Sequence, residues 1–209
     1  RQVLVPLLAS FQAQHPAVRY ELFFTDRRVD LLSEGVDVAF RITNRPPEHW
    51  VAQEVLSFKV RAYGLPRATA LAGPQDLAEV PVLLLGQGEE SYISPWRHAT
   101  GERVDVPLQA AAWGSDLDAL VALAQHGGGV VLAPDFCIRE VAADAAAGEA
   151  PGEAAPGTGA SGVLQDLLPG WEVALDLNRV QALTLPMPAG SESARALVRW
   201  VREGLAGRR

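Results

Sequence analysis

The sequence predicts an α/β fold, helices layered on a largely parallel sheet, and three observations predict it. Helix-type and strand-type apolar spacings alternate in short succession from Val3 to Ile42. An amphipathic helix around Leu117–Ala124 ends in glycines and is followed at once by the apolar run Val130–Ala133, a helix returning into a buried strand. The composition, 48% hydrophobic and 21% charged over 209 residues, belongs to a globular chain able to bury a sizeable core.

Each element has its own reason. Val3, Leu4, Leu7, Leu8 and Phe11 recur at helical spacing and Pro16 closes the stretch, so the chain opens with a helix. Val18, Tyr20, Leu22 and Phe24 alternate with Arg19 and Glu21, which predicts a half-buried strand. Thr25 and Asp26 are helix-capping types, Leu31 and Leu32 supply an apolar side, and Gly35 ends a short helix before a strand over Val36–Ile42. A loop follows from Thr43 to Pro47, then a long strand from Val55 to Tyr63 broken by Gly64 and Pro66. The pattern restarts with a short helix near Asp76–Glu79, a strand at Val82–Leu85, a loop through Trp96 and Gly101, and a strand at Leu108–Trp113. Ser115 and Asp116 cap the next helix, Gly127 to Gly129 stop it, and Pro134 breaks the strand after it. Residues 144–162 are rich in Ala, Gly, Pro and Glu and read as a flexible surface insertion. Val180–Leu185 reads as a strand, and Ser191 caps a terminal helix with Ala194, Leu197, Val198, Val201 and Leu205 on one face.

Charge and composition exclude several functions. With a net charge of −7, Lys59 as the only lysine and the arginines scattered, nothing resembles a phosphate-binding stripe. No apolar run approaches the roughly 20 residues needed to span a bilayer. Cys137 stands alone, so no internal disulfide is available and a reducing compartment suits the chain. His15, His49, His98 and His126 have no metal-ligand spacing, and neither a nucleophile elbow nor a phosphate-binding glycine loop follows a strand. No cofactor and no catalysis are expected.

Two stretches carry a family resemblance. VRYELFFTDRRVDLLSEGVDVAFRIT, Val18 to Thr43, holds Asp26, Val29, Asp30, Leu31, Glu34, Gly35, Asp37, Ala39 and Arg41 in a characteristic spacing. SDLDALVALAQHGGGVVLAPDF, Ser115 to Phe136, is the second, with weaker support from GPQDLAEVPVL and LLPGWE. In these segments the chain resembles the effector-binding domain of LysR-type transcription regulators, over nearly its whole length apart from the insertion.

The resemblance implies a two-lobed periplasmic-binding-protein-like fold of type II with two crossover strands, Val55–Tyr63 and Val180–Leu185. Lobe I spans 1–62 and 184–209, and lobe II spans 63–183. It further implies a small, anionic effector held between the lobes and a cytoplasmic homodimer or homotetramer, with helix Arg1–Gln14 and strand Val18–Phe24 of one copy against lobe II of another. DNA is reached only through a helix-turn-helix part that this sequence does not contain, and no membrane is involved. The family's first lobe I strand is also missing from this sequence. The alternative is a solute-binding component of a transporter, which shares the two-lobe fold.

Thr25, Thr43, Ser115 and Pro134 each follow a predicted strand, where open α/β sheets bind ligands. Thr25, Thr43, Ser115 and the amides near Asp116 are therefore expected to hold the effector, with Pro134 and Phe136 shaping the wall. Ser115 and Asp116 serve equally as a plain helix cap, and packing alone accounts for Pro134 and Phe136. Asp30, Asp37 and Arg41 fit ion pairing within lobe I better than catalysis. Tyr92–Trp96 is expected in a loop.

Overall fold

The computed structural model describes residues 3–25, 27, 29–66, 71–86, 88, 92–138, 162–187 and 191–206. Asp26 and residues 144–161 of the expected insertion lie outside them. In chain order the elements are α1 (Leu4–Gln14), β1 (Val38–Ile42), β2 (Val51–Ser57), β3 (Val60–Gly64), a 3-10 helix (Pro74–Glu79), β4 (Val82–Leu85), β5 (Tyr92–His98), β6 (Arg103–Leu108), β7 (Ala110–Gly114), α2 (Leu117–Gln125), β8 (Val130–Pro134), β9 (Gln165–Asp166), β10 (Trp171–Val173), β11 (Arg179–Thr184) and α3 (Glu192–Ala206). Among the described residues the strands form three sheets.

The chain divides into two compact units: Arg1–Phe58 with Asp176–Arg209, and Lys59–Leu175. The stretch expected as one strand, Val55–Tyr63, is interrupted at Phe58 and Lys59 into β2 and β3, one in each unit. β11 lies wholly in the first unit, because it pairs there on both edges.

In the first unit the sheet order is β1-β11-β2, antiparallel throughout rather than parallel as expected. α1 and α3 cover it: Leu7, Leu8 and Phe11 meet Leu197, Val198, Val201 and Leu205 over Val55 and Ala182. Burying such side chains contributes about 1.5–3 kcal/mol each, which is why helical spacing alone located both helices. Ser191 caps α3 as expected, its hydroxyl accepting from the Ala194 N–H at 3.0 Å.

Two expected elements of this unit are absent among its described residues. Val18–Phe24 forms no ladder; Gln12 instead donates to the Val18 carbonyl at 3.1 Å, and the Tyr20 hydroxyl donates to the Leu8 carbonyl at 3.0 Å. Val18 and Tyr20 pack inward, but alternation alone makes no strand without a backbone partner, and Leu22, Phe23 and Phe24 stand 49%, 68% and 52% exposed. The expected helix before Gly35 is a single turn, closed by the Ser33 N–H on Asp30 Oδ1 at 2.8 Å and by Val36 N–H on the Leu31 carbonyl at 2.9 Å. Gly35, at φ +66°, supplies the left-handed exit. Arg27 pairs with Glu34, while Asp37 and Arg41 form no ion pair among the described residues.

The second unit is layered about the mixed sheet β7-β4-β8-β3-β9, in which β4 runs parallel to both β7 and β8. Side-chain alternation separates its two faces. Val82, Leu84, Val130, Leu132 and Ala62 face Leu77, Trp96, Val106 and Leu108, whereas Leu83, Val131, Ala133 and Tyr63 face Leu120, Val121 and Ala124 of α2. The stretch expected as a loop through Trp96 is the antiparallel hairpin β5–β6, flanked by β10. Trp96, 1% exposed, anchors it to the core.

Candidate functional site

In the second unit, strand direction decides where chemistry gathers. β7, β4 and β8 are parallel, so their carboxyl ends share one sheet edge, and antiparallel β3 begins there too, with Val60 opposite Pro134. Along that edge stand Ser115 after β7, Gly86 after β4, Pro134 to Phe136 at the end of β8, and Lys59 before β3. With strands about 4.8 Å apart, the ends of β7 and β8 flank that of β4 at about 10 Å, a span suited to a small molecule. Gly86, at φ +135°, leaves the middle position without a side chain, and its N–H bonds the Gly114 carbonyl at 2.8 Å. The fold thus assembles four of the six expected residues: Ser115, Asp116, Pro134 and Phe136.

Ser115 is exposed, and Asp116 is half-buried as the cap of α2, its Oδ1 accepting from the Ala119 N–H at 3.1 Å. Asp118 lies in the same first turn, so two carboxylates occupy the positive end of the helix dipole. Pro134 is buried at the end of β8, and half-buried Phe136 follows in the helical turn 135–138. Cys137, in that turn, is half-buried; burial first, then the fields of Asp118 and Asp135, push its thiol up to about 12, the opposite of a reactive thiolate.

In the first unit, Thr25 and Thr43 each close a local turn. The Arg27 N–H donates to Thr25 Oγ1 at 3.3 Å and the Arg45 N–H to Thr43 Oγ1 at 3.1 Å. Thr43 is tied to β11 through its own N–H on the Arg179 carbonyl at 3.1 Å, which fixes it at the end of β1.

Sequence reasoning missed Gly86, Lys59 and Asp135. Lys59 and Asp135 hold the β3 and β8 ends together: the Asp135 N–H donates to the Lys59 carbonyl at 2.9 Å, and Asp135 Oδ1 accepts from the Lys59 N–H at 3.4 Å. Lys59 Nζ also lies 2.7 Å from Glu172, which Arg97 grips from the other side. Being the only lysine was the one sequence signal that marked Lys59. Expected in a loop, Tyr92–Trp96 lies in β5, with Tyr92 edge-on to Trp113 at 6.4 Å. Among the described residues no group of three His, Cys, Asp or Glu side chains is disposed to hold a metal, and no helix is long and apolar enough to cross a membrane.

Residues 1–206 match the family model described as the LysR substrate binding domain. The transcriptional activator AmpR of Pseudomonas aeruginosa is 30% identical over 132 residues, 63% of this chain and 44% of that protein. A transcriptional repressor from the same species is 27% identical over 143 residues, 66% of this chain and 45% of that protein. The chain thus spans about half the length of the curated relatives it matches. Among solved structures, the regulatory domain of CrgA from Neisseria meningitidis aligns with TM-score 0.72 at 18% identity, covering 98% of this chain and 92% of that one. The AmpR effector domain of P. aeruginosa gives 0.69 at 21%, covering 99% and 90%, and full-length AphB of Vibrio cholerae gives 0.71 at 19%, covering 96% and 63%. These likenesses establish the two-lobed α/β fold expected of the sequence.

Proposed function

The chain belongs to the LysR substrate binding domain family, and on that premise we propose that it is the effector-sensing domain of a cytoplasmic transcription regulator. Its two units act as lobe I and lobe II, and DNA is contacted by a helix-turn-helix part outside this sequence. The carrying observation is the family match over residues 1–206, joined to the strand edge that gathers Ser115, Gly86 and Phe136. The relatives and structures described above are regulators, which does not favour a transporter component.

The effector is a small polar metabolite. The Ser115 hydroxyl, the Gly86 end of β4 and the half-buried ring of Phe136 supply hydrogen bonding and wall in the second unit, and Thr25 and Thr43 are the candidates in the first. As the resemblance implies, the metabolite is expected to be anionic. Regulation requires that the effector bind one state of the domain more tightly than another, since equal affinity shifts nothing. Exposed Leu22, Phe23 and Phe24 support self-association into a homodimer or homotetramer.

The test is a thermal-shift screen of small carboxylates, amino acids and amines against the chain and its Ser115→Ala variant. A metabolite that stabilises the chain saturably, and stabilises Ser115→Ala at least about tenfold less tightly, supports the reading. A panel that stabilises neither protein, or both equally, contradicts the assignment of Ser115.

A further inference from the structure

We infer that the strand edge of the second unit selects an effector with a hydrophobic side group. Its apolar part sits at Gly86 between Leu85 and Trp113, while its polar part meets Ser115. The inference rests on the effector-site reading of that edge and adds the chemistry of what the edge holds. β4 is the middle of the three parallel strands, and it changes character at its carboxyl end. Leu83 packs toward α2 and Leu84 toward the face of Trp113, both buried. Leu85, one residue on, returns to the α2 face and is 52% exposed. A single exposed leucine is ordinary on a protein surface. This one stands in register with Gly114, the residue before Ser115, so an isobutyl group and a hydroxyl border the same strand end.

On the other face, the half-buried Trp113 indole runs along two exposed glycines. A Cβ on Gly86 would lie 3.9 Å from Trp113 Cζ3 in the six-membered ring, and one on Gly88 3.2 Å from Cδ1 in the pyrrole ring. A side chain at either position would therefore lie on the indole, and glycine at both leaves that flank of the ring bare. Tyr92, edge-on with ring centroids 6.4 Å apart, holds the indole in place. The end of β4 is thus bare backbone with an aliphatic group on one side, an aromatic ring on the other and the Ser115 hydroxyl beside it. A few polar groups that orient a ligand against apolar walls are the usual make-up of a small-molecule site. Each methylene that a ligand buries there raises its affinity about fourfold, so the site favours an acid with a hydrophobic side group over a smaller one with the same head.

Titration of the full chain with acetate, butyrate and hexanoate, followed by amide and indole NMR, tests the inference. Saturable shifts are expected at Gly86, Gly88, Ser115 and the Trp113 indole N–H, with affinity rising at least about tenfold from butyrate to hexanoate. Leu85→Ala, on an exposed side chain, is expected to remove about fivefold of the hexanoate affinity and to leave acetate unchanged. Trp113→Phe keeps an aromatic ring for packing and is expected to act in the same direction. Absence of saturable hexanoate shifts up to about 20 mM overturns the proposal. So does a gain with chain length that persists in full in both variants. Shifts that centre on Ser115 but ignore chain length overturn this inference alone, whereas saturable hexanoate shifts that miss Ser115 and Gly86 count against the effector-site reading as well.

Discussion

Replacing Gly129 by alanine tests how the candidate edge is built. Gly129 sits at φ +138°, and a Cβ there meets the Pro81 carbonyl oxygen at 2.4 Å and the carbonyl carbon at 3.0 Å. The same oxygen accepts the Val130 N–H at 2.8 Å, the bond that starts β8 beside β4. Backbone strain at a glycine-only conformation costs about 1–3 kcal/mol. Forcing apart two backbones and weakening their hydrogen bond adds about 2 kcal/mol more. Gly101→Ala is the matched control: its φ is +96°, but nothing lies within 4 Å of the added methyl, so it bears the strain alone. In urea, followed by tryptophan fluorescence, to which Trp96, Trp113 and Trp171 of this unit and Trp50 and Trp200 of the other contribute, Gly129→Ala is expected to unfold about 1 M earlier than Gly101→Ala. Equal midpoints would refute the view that the β4–β8 approach is set by the missing side chain.

Other expectations follow from single contacts. Asp116→Ala removes the α2 cap and is expected to cost about 1 kcal/mol in thermal unfolding, whereas Ser115→Ala, on an exposed side chain, stays within about 0.5 kcal/mol. Ser94 is 0% exposed, and among the described residues its hydroxyl has no hydrogen-bond partner, so Ser94→Ala is expected to leave stability unchanged or raise it; a loss above about 1 kcal/mol shows that the hydroxyl is bonded. Cys137, with its thiol pushed up to about 12, is expected to react with a thiol reagent at about pH 8 roughly 1,000-fold more slowly than a free cysteine, and a burst of labelling refutes its burial. Burial raises the carboxyl pKa of Glu172, but hydrogen bonds from Lys59 and Arg97 outweigh it and hold it below the usual range. Its contribution is therefore present above the unfolded value of about 4.3 and is lost as pH falls through the lower folded value. Glu172→Gln is expected to flatten that part of the stability profile, and an unchanged acid limb counts against the pair.

Where sequence could be read and where it could not has a physical division. α1, α2 and α3 were legible because each buries one stripe, and β4 and β8 because both faces of their sheet are covered. Val18–Phe24 misled because alternation records which side chains face inward but not whether a backbone partner exists. β5 and β6 lie in a stretch expected as a loop through Trp96 and Gly101; it carries Pro95 and Pro107, yet Pro107 lies on the edge strand β6 and Gly101 in the hairpin turn. At the candidate edge, Ser115 and Pro134 were legible from their place after predicted strands, and Asp116 as a helix cap. Gly86 and Lys59 were not, since only the parallel order β7-β4-β8 and antiparallel β3 bring them there.

The most direct test of the proposed function is amide NMR of the chain with whichever metabolite stabilises it most. The account predicts saturable shifts along the second unit's strand edge, at Gly86, Ser115, Asp116 and Asp135 to Cys137, and their weakening in Ser115→Ala. Saturable shifts that leave those residues unmoved would contradict it.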